Sequence, residues 1–104
     1  MNRTLPSNLD AEASVLGGIY LRRSCLDLAS VAALEVDDFY SPKHAATFSA
    51  IRNLESQARP IDPVTVDAEL VRLGKSQAVG GLAFQAELAL HCPSEANVEE
   101  YARI

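Results

Sequence analysis

Helix start signals recur along this 104-residue chain, and they constrain its fold more than any other feature. Ser41-Pro42 and Asp62-Pro63 each place a favourable N-cap residue directly before a proline at the first helical position. Ser94, just after Pro93, is a further N-cap candidate, and Glu95 follows it where negative charge complements the helix dipole. Signals spaced this closely predict short helices joined by short loops, because each one begins a new helix before a long one could form.

Apolar residues recur at helical spacing after each start signal. A first helix is predicted after the capping pair Ser7-Asn8, and a second is predicted over residues 24–34, which are rich in Leu and Ala. Two more helices are expected after the proline signals at Pro42 and Pro63. The apolar faces of the first, third and fourth helices are formed by Leu9, Ala13, Leu16, Tyr20, Phe48, Ile51, Leu54, Ala58, Val66, Leu70 and Leu73.

Two adjacent glycines, Gly17 and Gly18, interrupt the first predicted helix. Each costs about 1 kcal/mol relative to alanine in a helix interior. We therefore expect a second helix to cross the first closely at this point.

Residues 82–90 carry an ambiguous pattern, because their apolar side chains alternate as they would in a strand. The segment has no β-branched residue, and its Ala, Gln and Glu residues favour a helix. With a further helix after Ser94, the prediction is an all-α fold, a compact orthogonal bundle of about six short helices forming one domain over residues 1–104. The last helical pattern is still running at Ile104, so we expect a longer parent protein.

Charge and composition exclude several functional classes. The formal net charge is −5, and the nine basic residues form no stripe that could neutralise a phosphate backbone, which argues against direct nucleic-acid binding. No stretch approaches the roughly 20 apolar residues of a membrane helix, and no signal peptide is evident at the start. Cys25 and Cys92 stand far apart and are expected to be buried and reduced. We expect a cytoplasmic protein.

No motif for catalysis, cofactor binding or metal binding is present in the sequence. There is no phosphate-binding G-x-x-x-x-G-K-[ST] loop, and neither histidine has a metal-ligand partner four residues away. His44 is expected at a capping or surface position. The pair Asp37-Asp38 is expected to cap a turn while the rings of Phe39 and Tyr40 enter the core. By exclusion, the chain is interpreted as a binding or structural module.

Five segments, in order, resemble the N-terminal domain of DnaB-type bacterial replicative helicases. They are similar to the family patterns E-A-E-x-S-V-L-G-G, D-F-Y-x-x-x-H-x-x-x-F, P-[IV]-D-x-V-T-[VL], V-G-G-x-A-Y-L-x-E-L and P-[ST]-A-A-N-[IV]-x-x-Y-A-x-I. The matching residues are 10–18, 38–48, 60–66, 79–88 and 93–104. Phe84 stands where many members have tyrosine, and Glu95 replaces a small residue.

The resemblance implies a helical head that precedes a helical hairpin, a linker and an ATPase domain, which would hold ATP and Mg²⁺ and is absent from this chain. It implies other helicase subunits and the C-terminal domain of primase as partners, with no cofactor in this fragment. Phe84 is the candidate partner-binding residue, although an aromatic residue there can equally belong to the core. Two alternatives stay open: a helicase-binding domain of a primase, and a nucleic-acid-binding accessory domain.

Overall fold

The computed structural model describes residues 8–91, and its helices follow the start signals of the sequence. Within this range there are six α-helices and two 3-10 helices, and no strand, which confirms the all-helical prediction. The predicted cap Ser7, Cys92 and the predicted helix after Ser94 lie outside the described residues. The α-helices are α1 (Asn8–Leu21), α2 (Ala29–Ala32), α3 (Pro42–Ser56), α4 (Pro63–Arg72), α5 (Ser76–Val79) and α6 (Gly81–Leu90), and the 3-10 helices are Arg23–Asp27 and Val36–Asp38.

Both proline start signals act as predicted. The Ser41 hydroxyl accepts a hydrogen bond from the His44 amide at 3.4 Å, with Pro42 in the first turn of α3. At α4 the Asp62 carboxylate accepts from the Thr65 amide at 2.8 Å, and the Thr65 hydroxyl accepts from the Asp62 amide at 2.9 Å. This reciprocal pair satisfies two amides that have no partner inside their own helix.

The single helix predicted over residues 24–34 is wrong. The segment divides into the 3-10 helix Arg23–Asp27 and the one-turn α2, with Leu28 in an extended conformation between them. Cys25, Leu26, Val31 and Leu34 are all buried, and they would not share one face of a continuous helix. Arg52 donates to the carbonyls of Val31, Ala32 and Leu34, which stabilises the irregular end of the segment.

Residues 81–90 form a helix, as predicted, despite their alternating apolar pattern. Gln85 and Leu88 face the interior, whereas Leu82 and Leu90 are exposed, so burial follows helical spacing. Gly80, directly before this helix, and Gly81, its first residue, have positive φ angles of 114° and 66°. Glycine adopts such angles without steric cost, which allows the chain to turn sharply from α5 into α6.

The first helix, α1, packs against α6, α3 and the 3-10 helix Arg23–Asp27. A β-carbon added at Gly17 would lie 2.2 Å from the His91 carbonyl oxygen and 2.4 Å from that of Leu88. The predicted close crossing at Gly17 is therefore confirmed, and the crossing element is the end of α6. The large apolar side chains of the core are Leu16, Ile19, Phe48, Ile51, Leu54, Val66, Leu70 and Leu88.

A chain of polar side chains joins three of these helices inside the core. Tyr20 of α1 donates to the side-chain oxygen of Gln85, and the Gln85 amide donates to the Thr47 hydroxyl at 3.1 Å. Gln85 and Thr47 are fully buried. Burial, with a smaller contribution from nearby carboxylates, raises the pKa of Tyr20 above its ordinary value, so the phenol stays protonated as a donor.

Three smaller expectations have mixed outcomes. Cys25 is buried, as predicted, and no helix among residues 8–91 is long and apolar enough to cross a membrane. Phe39 enters the core as expected, but the side chain of Tyr40 is 50% exposed. The reason is that Phe39 has extended backbone angles, and successive side chains of extended backbone point to opposite sides.

Candidate partner-binding site

Phe84, the candidate site residue, lies in the first turn of α6 immediately after the glycine turn. A β-carbon at Gly80 would approach the Phe84 β-carbon to 2.9 Å. The absence of a side chain at Gly80 therefore allows the Phe84 side chain to lie close against the preceding backbone.

The Phe84 ring is partly buried and packs against the edge of the core. Its centroid lies 6.0 Å from that of the His44 ring, at an interplanar angle of 31°. The Lys43 ammonium nitrogen lies 5.4 Å from the Phe84 centroid, within the range of a cation–π contact. Phe84 thus combines a core contact with access to solvent, and the start of α3 supplies the residues beside it.

The histidine next to Phe84 contacts a buried carboxylate. Glu12 of α1 is only 1% exposed. It accepts from the Tyr40 amide at 2.6 Å and the Ser41 amide at 3.3 Å, and its Oε1 lies 2.9 Å from Nδ1 of His44. These contacts place a carboxylate at the N-terminus of α3, where the helix dipole favours negative charge.

This cluster was not predicted, because His44 was expected at a capping or surface position. His44 is buried, and its backbone amide and its ring make separate contacts with Ser41 and Glu12. A signal was available, since Glu12 lies three, four and seven residues before the buried side chains of Val15, Leu16 and Ile19. A carboxylate at that register falls on the buried face of α1 and needs donors from another element.

An apolar groove of about 300 Å³ lies beside this site, between the start of α3 and helix α5. Lys43 and Lys75, which are the two lysines of the chain, both line it. Its remaining lining is formed by Pro42, Ala46, Ala78 and Val79. Lys43 also contacts Phe84, so the groove and the exposed part of Phe84 are adjacent.

The groups at this site differ in their access to solvent. The Glu12–His44 pair is shielded from solvent and is occupied in holding the start of α3. Residues 8–91 contain no group of three or more His, Cys, Asp or Glu side chains that could hold a metal ion. The accessible groups of this site are an aromatic ring, an apolar groove and two ammonium groups, and the ring and the groove are features of a binding surface.

Comparison with known proteins identifies a relationship along almost the whole chain. Residues 4–104 match the model of the DnaB-like helicase N terminal domain. The replicative DNA helicase DnaC of Bacillus subtilis is 39% identical over 103 residues, which is 99% of this chain and 22% of the relative. The replicative DNA helicase DnaB of Geobacillus stearothermophilus is 38% identical over 102 residues, 98% of this chain and 22% of the relative. The chain thus spans about a fifth of the length of these relatives.

The fold agrees with this relationship. The crystal structure of the N-terminal domain of DnaB helicase from Mycobacterium tuberculosis superimposes with a TM-score of 0.83 at 38% sequence identity. The match covers 90% of this chain and 65% of that one. The family model, the identity to replicative helicases and the shared helical fold give one conclusion: this chain belongs to the family of DnaB-like helicase N-terminal domains.

Proposed function

We propose that this chain is the N-terminal protein-interaction domain of a replicative DNA helicase, which recruits the C-terminal domain of primase and contributes to hexamer organisation. The observation that carries the proposal is the family match over residues 4–104. The fragment itself is not an enzyme. Its parent would be an ATP-dependent DNA helicase of the cytoplasm that binds ATP and Mg²⁺ in a separate ATPase domain.

Phe84 is the residue that we assign to the primase contact. A partly exposed aromatic side chain, held by a glycine turn on one side and the core on the other, can bury further area at little conformational cost. Aromatic residues in such positions often dominate interface energies. The adjacent groove extends the apolar area available to a partner.

Calorimetric titration of this chain with the cognate primase C-terminal domain tests the recruitment proposal. We expect saturable binding by the wild type and an affinity loss of about 1–3 kcal/mol, or roughly 5- to 150-fold, for Phe84→Ala. Leu82→Ala is the matched control, because Leu82 lies on the same helix turn and is 46% exposed. No binding by the wild type would refute primase recruitment.

The melting temperature of Phe84→Ala separates the two roles of this side chain. A core role predicts a loss of about 3–5 kcal/mol in folding stability from lost burial and a cavity. If that loss appears, and the affinity is unchanged once corrected for the folded fraction, Phe84 is not part of the contact.

The contribution to the hexamer is tested on the full-length parent. We expect deletion of residues 1–104 to reduce the fraction of hexamer at a fixed subunit concentration, since contacts between N-terminal domains would be lost. Sedimentation velocity measures this fraction directly. An unchanged hexamer population would contradict a role of this domain in ring organisation.

A further inference from the structure

The two lysines of this acidic chain converge on one groove although they are 32 residues apart in sequence. Lys43 lies in the first turn of α3, and Lys75 precedes α5, on the other wall of the groove. The chain carries a formal net charge of −5 and has no other lysine. Two ammonium groups on one apolar groove therefore form a local positive region on a chain of net negative charge.

Neither ammonium is neutralised within the described part of the chain. Lys43 contacts the Phe84 ring, and among residues 8–91 neither lysine takes part in an ion pair. The Asp67 carboxylate accepts a hydrogen bond at 2.7 Å from the hydroxyl of Ser76, the residue after Lys75, and it forms no ion pair with either lysine. By contrast, Arg52 and Arg72 are paired with Glu55 and Glu69.

The floor of the groove is apolar. Val79 is buried at its base, and Ala46 and Ala78 contribute small side chains that leave space between the two helices. Its volume of about 300 Å³ suits a small number of side chains. The groove therefore offers an apolar contact with a positive charge on each wall.

We propose that this groove binds an acidic segment of the primase C-terminal domain, with an aliphatic side chain in the groove and carboxylates beside Lys43 and Lys75. This inference rests on the proposed function, and it adds the site and the chemistry of the bound segment. The charge complementarity favours carboxylates, and the apolar floor favours a protein segment over a nucleic-acid backbone.

Zero-length carbodiimide cross-linking of this chain to the cognate primase C-terminal domain tests the contact. The reagent joins an amine to a carboxylate in direct contact, and this chain has only two lysine side chains. We expect cross-links from Lys43 or Lys75 to Asp or Glu of a segment that also contains aliphatic residues. A complex without such cross-links would overturn the inference.

Charge variants supply an independent measurement on the same complex. We expect Lys75→Glu to weaken binding about tenfold at low salt, with a smaller effect at high salt, and Lys75→Arg to bind as the wild type does. The matched control is Arg59→Glu, which changes charge beyond the far end of α3, a helix of 15 residues or about 22 Å. An equal loss for Arg59→Glu would indicate a general charge effect and overturn the inference.

The outcomes separate this inference from the proposed function. If the wild-type chain binds the primase domain and Lys75→Glu binds equally well, the groove assignment is wrong and recruitment stands. If the wild type does not bind at all, both fail. If single-stranded DNA displaces the primase domain from the wild type but not from Lys75→Glu, the groove is a nucleic-acid site instead. Lys75 is exposed, and its side chain forms no hydrogen bond or ion pair with another described residue, so its variants should melt as the wild type does.

Discussion

Removing the Glu12 carboxylate is the most informative single perturbation of this fold. Glu12 connects α1 to the start of α3 through the amides of Tyr40 and Ser41 and the ring of His44. In Glu12→Ala the two amides and the His44 ring lose their partner, and the new side chain is too short to replace it. The Glu12 and His44 side chains are nearly inaccessible to water, so solvent cannot fully replace the lost contacts.

The expected cost follows from these contacts. A buried polar group left without its partner costs about 1–3 kcal/mol, and three such groups contact the Glu12 carboxylate. The longest contact, from the Ser41 amide at 3.3 Å, adds least. We therefore expect Glu12→Ala to lose about 3–5 kcal/mol, a large share of the roughly 5–15 kcal/mol that stabilises a small domain. The melting temperature should fall by more than about 12 °C.

Urea unfolding followed by far-ultraviolet circular dichroism measures this loss. Asp10→Ala is the matched control, because it removes an exposed carboxylate from the first turn of the same helix. The control should lose less than about 1 kcal/mol, the range for an exposed charge near a helix N-terminus. Glu12→Gln keeps the side-chain length, so its loss of stability should lie between those of Glu12→Ala and Asp10→Ala. A loss for Glu12→Ala no larger than that for Asp10→Ala would refute the assigned role of Glu12.

Three further predictions concern the helix crossing at Gly17, the ion pair of Glu69 and nucleotide binding. Gly17→Ala should lower the free energy of unfolding in urea by about 1–3 kcal/mol, because the added β-carbon would meet backbone oxygens that cannot rotate away. Unchanged stability would contradict the close crossing. The hydrogen bond from Arg72 is the largest cause that holds the pKa of the Glu69 carboxyl below its ordinary value of 4.5. The ionised Glu69 should therefore stabilise the fold above that pH, and this contribution should disappear as the pH falls through the lower folded-state pKa. The stability difference between wild type and Glu69→Gln, measured by urea unfolding at several pH values, should therefore shrink on acidification, and a difference that grows would reverse the sign of the assigned shift. Calorimetry with Mg-ATP should detect no micromolar binding, since the sequence has no phosphate-binding loop; clear saturation would contradict the non-enzymatic assignment.

Local sequence signals predicted the helical class and most helix starts. Ser41-Pro42 and Asp62-Pro63 determine where α3 and α4 begin, because the caps satisfy amides within a few residues of the cap itself. Helix propensity likewise identified residues 81–90 against their alternating pattern, since the absence of β-branched residues is a property of the segment alone. Gly17 indicated a helix crossing, although it did not identify the element that crosses.

Tertiary contacts decided the features that local signals misjudged. The segment 24–34 has the composition of one helix, but its buried residues face different neighbours, and Arg52 from α3 binds the carbonyls at its end. Local signals predicted a capping or surface position for His44 in the first turn of its helix, whereas its side chain is buried and its ring contacts Glu12 of α1. Propensity acts over a few residues, whereas burial depends on which elements meet in space.

The candidate site shows the same division between local and long-range information. The sequence determined that Phe84 follows a glycine turn and that the chain has two lysines in an acidic background. Only the packing of α3 against α5 places Lys43 and Lys75 on opposite walls of one groove, next to the Phe84 ring. Their convergence depends on contacts between residues about 30 positions apart, which no local spacing pattern encodes.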